Sequence, residues 1–226
     1  MKEFDNIKIT ELTELLNENT TLKRFYPLIP VRGELIQKLL AEGMEDKYIF
    51  LDAVNASAPD SAVFLQGLAE KFSMDERILG LFECFMHLHD FTNRKLSEIQ
   101  SVDAGFIEKL SLNHIKMSKD YLLLCMGNSA EAILGKYGAE KNDVLRLFGI
   151  CDLMRLPGVK GLRASLYYDC GYRNLQIFSV QNQPEMRKKL ADYIAENKIQ
   201  KSVPFAKELE TQIAVAKVLP HLSFGA

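Results

Sequence analysis

Residues 153 to 179 read Leu-Met-Arg-Leu-Pro-Gly-Val-Lys-Gly-Leu-Arg-Ala-Ser-Leu-Tyr-Tyr-Asp-Cys-Gly-Tyr-Arg-Asn-Leu-Gln-Ile-Phe-Ser, and this stretch decides the fold. Pro157 has no N–H and cannot extend a helix that precedes it, while Gly158 can take the left-handed conformation just past that helix's end. Val159 is an apolar plug between Gly158 and Gly161, and Gly161 opens a second helix. Ala164 and Tyr167 follow at helical spacing, Gly171 ends the second helix, and a third begins near Asn174. The stretch predicts two short helices joined by a tight turn.

The pattern recurs elsewhere. Ile29-Pro30-Val31-Arg32-Gly33 precedes Leu35, Ile36, Leu39 and Leu40, then Gly43 and Ile49-Phe50. Setting Val31 on Val159 places Arg32 on Lys160, Gly33 on Gly161, Gly43 on Gly171 and Phe50 on Phe178, all at one offset of 128. A middle copy runs from Ile99, with Val102 as the plug, Asp103 in place of the basic residue and Ala104 in place of glycine. An acid there repels phosphate. The longer helices repeat too: Ile78-Leu79-Gly80-Leu81-Phe82 matches Val144-Leu145-Arg146-Leu147-Phe148 at an offset of 66, behind Lys71-Phe72 and Lys136-Tyr137. Such repetition predicts neighbouring units that cover one another's apolar faces.

Helical periodicity dominates and no convincing alternating strand is present, so the fold class is all-α. Ile9 to Asn17 and Leu22 to Leu28 read as short helices, and Pro59-Asp60 starts a helix to about Lys71. Ser73-x-x-Glu76 reads as a capping box before Ile78 to Leu88, and Asn182 with Pro184, then Pro204, start two C-terminal helices. The expected division is an N-terminal helical region, residues 1–92, with one degenerate copy, and a second domain over 93–226.

Composition bounds the function. Apolar residues make up 47% and charged residues 26% of 226, the balance of a globular domain with a sizeable core. The net charge of −2 argues against a strong general nucleic-acid binder. It is unevenly spread: residues 151–226 carry eleven Lys/Arg against seven Asp/Glu, the first 150 seventeen against twenty-three. The N-terminus does not read as a signal peptide and no apolar run reaches membrane length, which together with four widely spaced cysteines (Cys84, Cys125, Cys151, Cys170) predicts a cytoplasmic protein with buried reduced thiols.

The Pro-Gly-Val-Lys-Gly turn resembles the helix-hairpin-helix motif. More narrowly, the run from Val144 to Phe148, then Asp152-Leu153-Met154-Arg155-Leu156-Pro157-Gly158-Val159 and Tyr172-Arg173-Asn174-Leu175, resembles a bacterial family of tandem helix-hairpin-helix domains of unassigned function, the domain-of-unknown-function 4332 type. In that family an Asp-Leu-Met-Arg-apolar run leads directly into the hairpin. The similarity is best over residues 99–220. It implies tandem degenerate helix-hairpin-helix units, near residues 29–50, 99–121 and 156–178, separated by connecting helices. In helix-hairpin-helix proteins the second helix start grips a nucleic-acid backbone, because its first N–H groups lack intrahelical partners and its dipole favours an anion. The matching residues are Gly158, Val159, Lys160, Gly161 and Arg163, with Arg32 and Gly33 in the first copy. One departure stands out: Lys160 occupies the place of the second glycine.

Two functions follow as expectations. One is sequence-independent binding of DNA or RNA through phosphate contacts at residues 157–163; the other is a protein-interaction or structural scaffold. No catalytic constellation, nucleotide loop or cofactor motif stands out, so an enzyme is not expected. His87-x-His89-Asp90 has metal-ligand character, but residues two apart on a helix point about 200° apart and do not face one ion, so no metal is expected. His114 and His221 are isolated. Tyr167, Tyr168 and Tyr172 offer stacking surfaces for bases or, more simply, core side chains.

Overall fold

Aspartate, asparagine and serine side chains cap six of the helix starts described below. In the computed structural model, which describes residues 4–200 and 202–224, the chain forms two compact units. The first begins with α1 (Leu12–Leu15), α2 (Leu28–Ala41), α3 (Lys47–Ala56), α4 (Ser61–Phe72) and α5 (Glu76–Leu88), with short 3-10 turns at Ile9–Glu11 and Lys23–Phe25. Asp46 caps α3 by accepting the N–H groups of Tyr48 and Ile49, and Asp75 caps α5 through that of Arg77. Edge-to-face ring pairs Phe25–Phe85 and Phe50–Phe82, 5.4 and 5.0 Å between centroids, sit in its core.

Three expectations change here. Residues 31–33 lie inside α2 rather than at a turn, because Pro27 is the N-cap and Pro30 falls in the first helical turn, where an N–H has no partner to lose. The prolines start this helix instead of interrupting it. The helix expected over Leu22 to Leu28 shrinks to the 3-10 turn, and Ser73 is not the cap of α5 but the left-handed end of α4, at φ 51°.

The second unit contains a 3-10 turn at Leu96–Glu98, then α6 (Ala104–Leu112), α7 (Ser118–Gly127), α8 (Ala130–Tyr137), α9 (Lys141–Leu153), α10 (Gly161–Asp169), α11 (Leu175–Ser179) and α12 (Gln183–Glu196). Phe106 packs edge-on against Tyr121 and Tyr137, and Phe178 against Tyr172, while Tyr167 lies tilted over Phe178. The last helix, α13 (Ala206–Val218), belongs to the first unit from Lys207 onward. There the Thr211 hydroxyl donates to the Thr20 carbonyl and Lys207 donates to the Glu18 carbonyl and the Tyr26 hydroxyl. The helix is buried along most of its length. The described residues contain thirteen α-helices and no strand, only two isolated bridges, and the protein is all-α.

The internal repeat has a local structural counterpart. Each of α2, α6 and α10 ends in a residue with positive φ, Gly43 (75°), His114 (65°) and Gly171 (94°). The next residue but none, Met44, Ile115 or Tyr172, then returns its N–H to a carbonyl of the helix just left, Leu39, Leu110 or Tyr167, each at 3.0 Å. In the first two cases a pair of backbone bonds follows: Ile9 to Glu45 and Lys47 to Ile7, both 2.9 Å, and Leu96 to Lys116 and Ser118 to Arg94, 2.8 and 2.7 Å. In the third the N–H of Leu175 finds the carboxylate of Asp152 instead, at 2.8 Å.

Candidate functional site

The turn between α9 and α10 is built from its buried residues outward. Leu156 and Val159 are both sealed in the core, and the Val159 N–H closes the turn on the Leu156 carbonyl at 3.2 Å. Gly158 takes φ 73°, the left-handed conformation expected of it. Lys160 is the extended N-cap of α10 and brings no side-chain acceptor to the first helical turn. Gly161 is buried: a Cβ there would lie 3.4 Å from Ile99 Cγ1 and 3.6 Å from the Glu98 carbonyl. Both are ordinary contact distances, so the packing on residues 98–99 has room for a methyl group.

Gly158, Lys160, Leu162 and Arg163 line an open groove of about 400 Å³ at the start of α10. Lys160 is exposed and Arg163 half-buried, while Leu162 keeps 60% of its surface in solvent. Glu98 lines the same groove, with its carbonyl 3.6 Å from where a Gly161 Cβ would stand. The arrangement offers amides, two cations and an apolar side chain beside one acid.

The middle copy is different. Asp103 caps α6 by accepting the Phe106 N–H at 2.7 Å, so that helix start already holds an anion of its own. Arg32 and Gly33 lie in the first unit, within α2; the Arg32 guanidinium donates to the Ile29 carbonyl at 2.9 Å, and both residues line a groove of about 500 Å³ with Thr13, Glu18 and Tyr26. They do not form the turn that the repeat alignment assigned to them. Tyr167 and Tyr172 are core residues, and Tyr168 is half-buried.

Behind the turn, Asp152 is 1% exposed and forms an ion pair with Arg155, also buried, while its second oxygen accepts the Leu175 N–H. Burial pushes this carboxyl above its ordinary range against the pull of Arg155 and the amide. The pair ties the end of α9 to the start of α11 and so fixes the frame in which the turn sits. The Asp-Leu-Met-Arg run is thus a buried structural clamp.

The first unit holds a second buried charge. Lys47, 0% exposed, donates to both the carbonyl and the carboxylate of Asp5 at 3.3 Å and to the His89 carbonyl at 3.2 Å, and pairs with Asp90 at 2.7 Å. The Tyr48 hydroxyl donates to the other oxygen of Asp5. Burial pulls the Asp90 carboxyl up, but hydrogen bonds from Lys47 and His87 outweigh it and hold the group below its ordinary value. The offset-128 alignment places Lys47 on Leu175; a lysine where a copy carries an apolar residue was the sequence signal for a buried, partnered cation, and it was missed.

His87 and His89 part as their spacing requires. His87 Nδ1 meets Asp90 at 2.9 Å on the surface, whereas His89 is buried with Nδ1 on the Phe85 carbonyl at 2.9 Å. Burial lowers the His89 pKa to about 4. Among the described residues no group of three or more His, Cys, Asp or Glu side chains is placed to hold a metal ion. Cys125, Cys151 and Cys170 are buried and unpaired, but Cys84 is exposed, contrary to the expectation that all four thiols are buried. Burial pushes the Cys170 thiol up to about 11, the opposite of what a nucleophile needs. No helix among the described residues is long and apolar enough to cross a membrane.

Residues 103–219, just over half of the chain, match the family model described as Domain of unknown function (DUF4332). No curated protein and no solved structure was found to match.

Proposed function

We propose that this chain, which belongs to the DUF4332 family of domains of unknown function, is a cytoplasmic, non-enzymatic helix-hairpin-helix protein that binds a nucleic-acid backbone without reading its sequence. The observation that carries the reading is the start of α10: an N-terminus without a side-chain cap, opening into a groove flanked by Lys160 and Arg163. The first amides of a helix and its dipole favour an anion, and a phosphate fits between two cations there. Gly158 keeps the approach open, since a Cβ at that position would meet nothing within 4 Å. Backbone amides do not distinguish DNA from RNA.

Fluorescence anisotropy of labelled single-stranded and duplex DNA, titrated across a salt series, tests this. Phosphate contact predicts a linear loss of log affinity with log salt, about 0.9 per contacted phosphate on duplex, and a clear loss in Lys160→Glu/Arg163→Glu. Absence of binding at low salt by the folded protein sinks the reading.

A second reading, a protein-interaction scaffold, is favoured by the same groove's other half. An acidic residue, Glu98, lines it, and the exposed Leu162 offers an apolar contact that a peptide uses and a nucleic-acid backbone does not.

A further inference from the structure

The C-terminal end of α10 gathers cations from three elements. Arg146 of α9 pairs with Asp169 at 2.7 Å and lies 5.1 Å from the Tyr168 ring centroid. Arg173, in the loop after α10, lies 6.0 Å from the same ring. Lys189 of α12 stands 5.2 Å from the ring of Tyr172 and beside Gly171, where a Cβ would come within 3.5 Å of its ammonium. One carboxylate, Asp169, answers Arg146; Arg173 and Lys189 have no ion-pair partner among the described residues. The Nε of Arg146 is buried without a hydrogen-bond partner.

The site is held in place from beneath. Gly149 of α9 lets Tyr168 and the Arg173 carbonyl approach so closely that a Cβ would stand 2.6 Å from the ring and 2.2 Å from that oxygen. Gly149 stands against the Cδ2–Cε2 edge of the Tyr168 ring, and the ring in turn orients the two arginines. A stacked guanidinium is weakly hydrated and its fork is pre-organised, which suits it to phosphate oxygens.

We propose that Arg146, Arg173 and Lys189 form a phosphate-contacting patch for the nucleic-acid backbone at the end of α10 opposite Lys160. The inference rests on the function proposed above and extends it from one contact to two. The ends of this nine-residue helix lie about 12 Å apart at roughly 1.5 Å per residue, while one strand of a duplex presents a charge about every 3.4 Å of axis. A strand of such a duplex therefore presents about three to four phosphates over that span.

The test uses the full chain and a labelled twelve-nucleotide oligo-dT, read by anisotropy across a salt series, with Arg173→Gln/Lys189→Gln and Lys160→Glu/Arg163→Glu compared with the wild type. Melting temperatures are measured in parallel, because cations at a helix C-terminus also offset its dipole. Loss of two phosphate contacts lowers the salt slope of Arg173→Gln/Lys189→Gln by about 1.4, at roughly 0.7 per phosphate of a single strand. That result upholds the patch. An unchanged slope and affinity in this variant, with or without a lower melting temperature, overturns it; if Lys160→Glu/Arg163→Glu still loses binding, the reading of residues 157–163 survives alone. The converse, binding lost only in Arg173→Gln/Lys189→Gln, keeps the patch and overturns the hairpin grip. No binding by the wild type at low salt overturns both.

Discussion

Asp152 accepts the backbone N–H of Leu175 at 2.8 Å across twenty-three residues of chain. In the two other copies of this local pattern the equivalent amide, of Lys47 or Ser118, bonds a main-chain carbonyl. A carboxylate in that place brings a negative charge into the core, and Arg155 neutralises it. Removing one partner strands the other without water.

Asp152→Ala is accordingly expected to destabilise the second unit by about 3–5 kcal/mol, the range for breaking a buried ion pair. The double change Asp152→Leu/Arg155→Met is expected to cost less than the single one, since no orphaned charge remains. Urea unfolding of the three proteins checks the order.

Lys47 makes the same argument in the first unit, with more partners. Lys47→Met leaves Asp5 and Asp90 facing each other's charge without the cation, and a loss of about 3–5 kcal/mol follows. The measurement is thermal unfolding at pH 7, where both carboxylates of the unfolded chain are ionised.

His89 gives the acid side of the stability profile a definite shape. Its folded pKa of about 4 lies below the unfolded 6.5, so between these values the unfolded chain binds a proton that the folded chain does not. The contribution of His89 is complete above pH 6.5 and is lost as pH falls towards 4, about 3 kcal/mol in all at 1.36 kcal/mol per unit. In His89→Gln this part of the slope disappears, even though stability at pH 7 is lower. Denaturant midpoints from pH 4 to 7.5 show the difference; parallel profiles for both proteins would refute it.

Two glycines on neighbouring helices are expected to behave oppositely. Gly149→Ala drives a methyl into the Arg173 carbonyl and the Tyr168 ring, and overpacking of this kind costs about 1–3 kcal/mol or more. Gly161→Ala meets Ile99 at ordinary contact distance inside a helix and is expected to fold at or slightly above wild-type stability. Circular dichroism melts separate the two.

Much of the fold was legible because caps and left-handed ends are local chemistry. Asn182 accepts the Glu185 N–H at its helix start, and Gly43 and Gly171 take positive φ at one offset of 128, as the repeat alignment requires. The alignment failed at its N-terminal edge for an equally local reason. The repeat places Pro30 in a turn, yet within the first helical turn a proline leaves no hydrogen bond broken, and Arg32 and Gly33 lie with it in α2. The groove at Lys160 could be placed from sequence, but its acid, Glu98, could not, because that residue comes from a turn sixty-two positions earlier. The cation cluster escaped for the same reason: Arg146, Arg173 and Lys189 meet only through tertiary packing.

The membership of α13 in the first unit has a consequence for the order of synthesis. Residues 4–90 leave the ribosome with one wall of their core absent, and Lys207 follows about 10 s later at roughly 5–20 residues per second. The second unit's main segment, complete at Ala206, is available to fold before the first unit can close. Leu209, Ile213 and Val218 of α13 are buried and belong to the first unit, so that unit, although made before the second, is the last to be protected from aggregation and proteolysis.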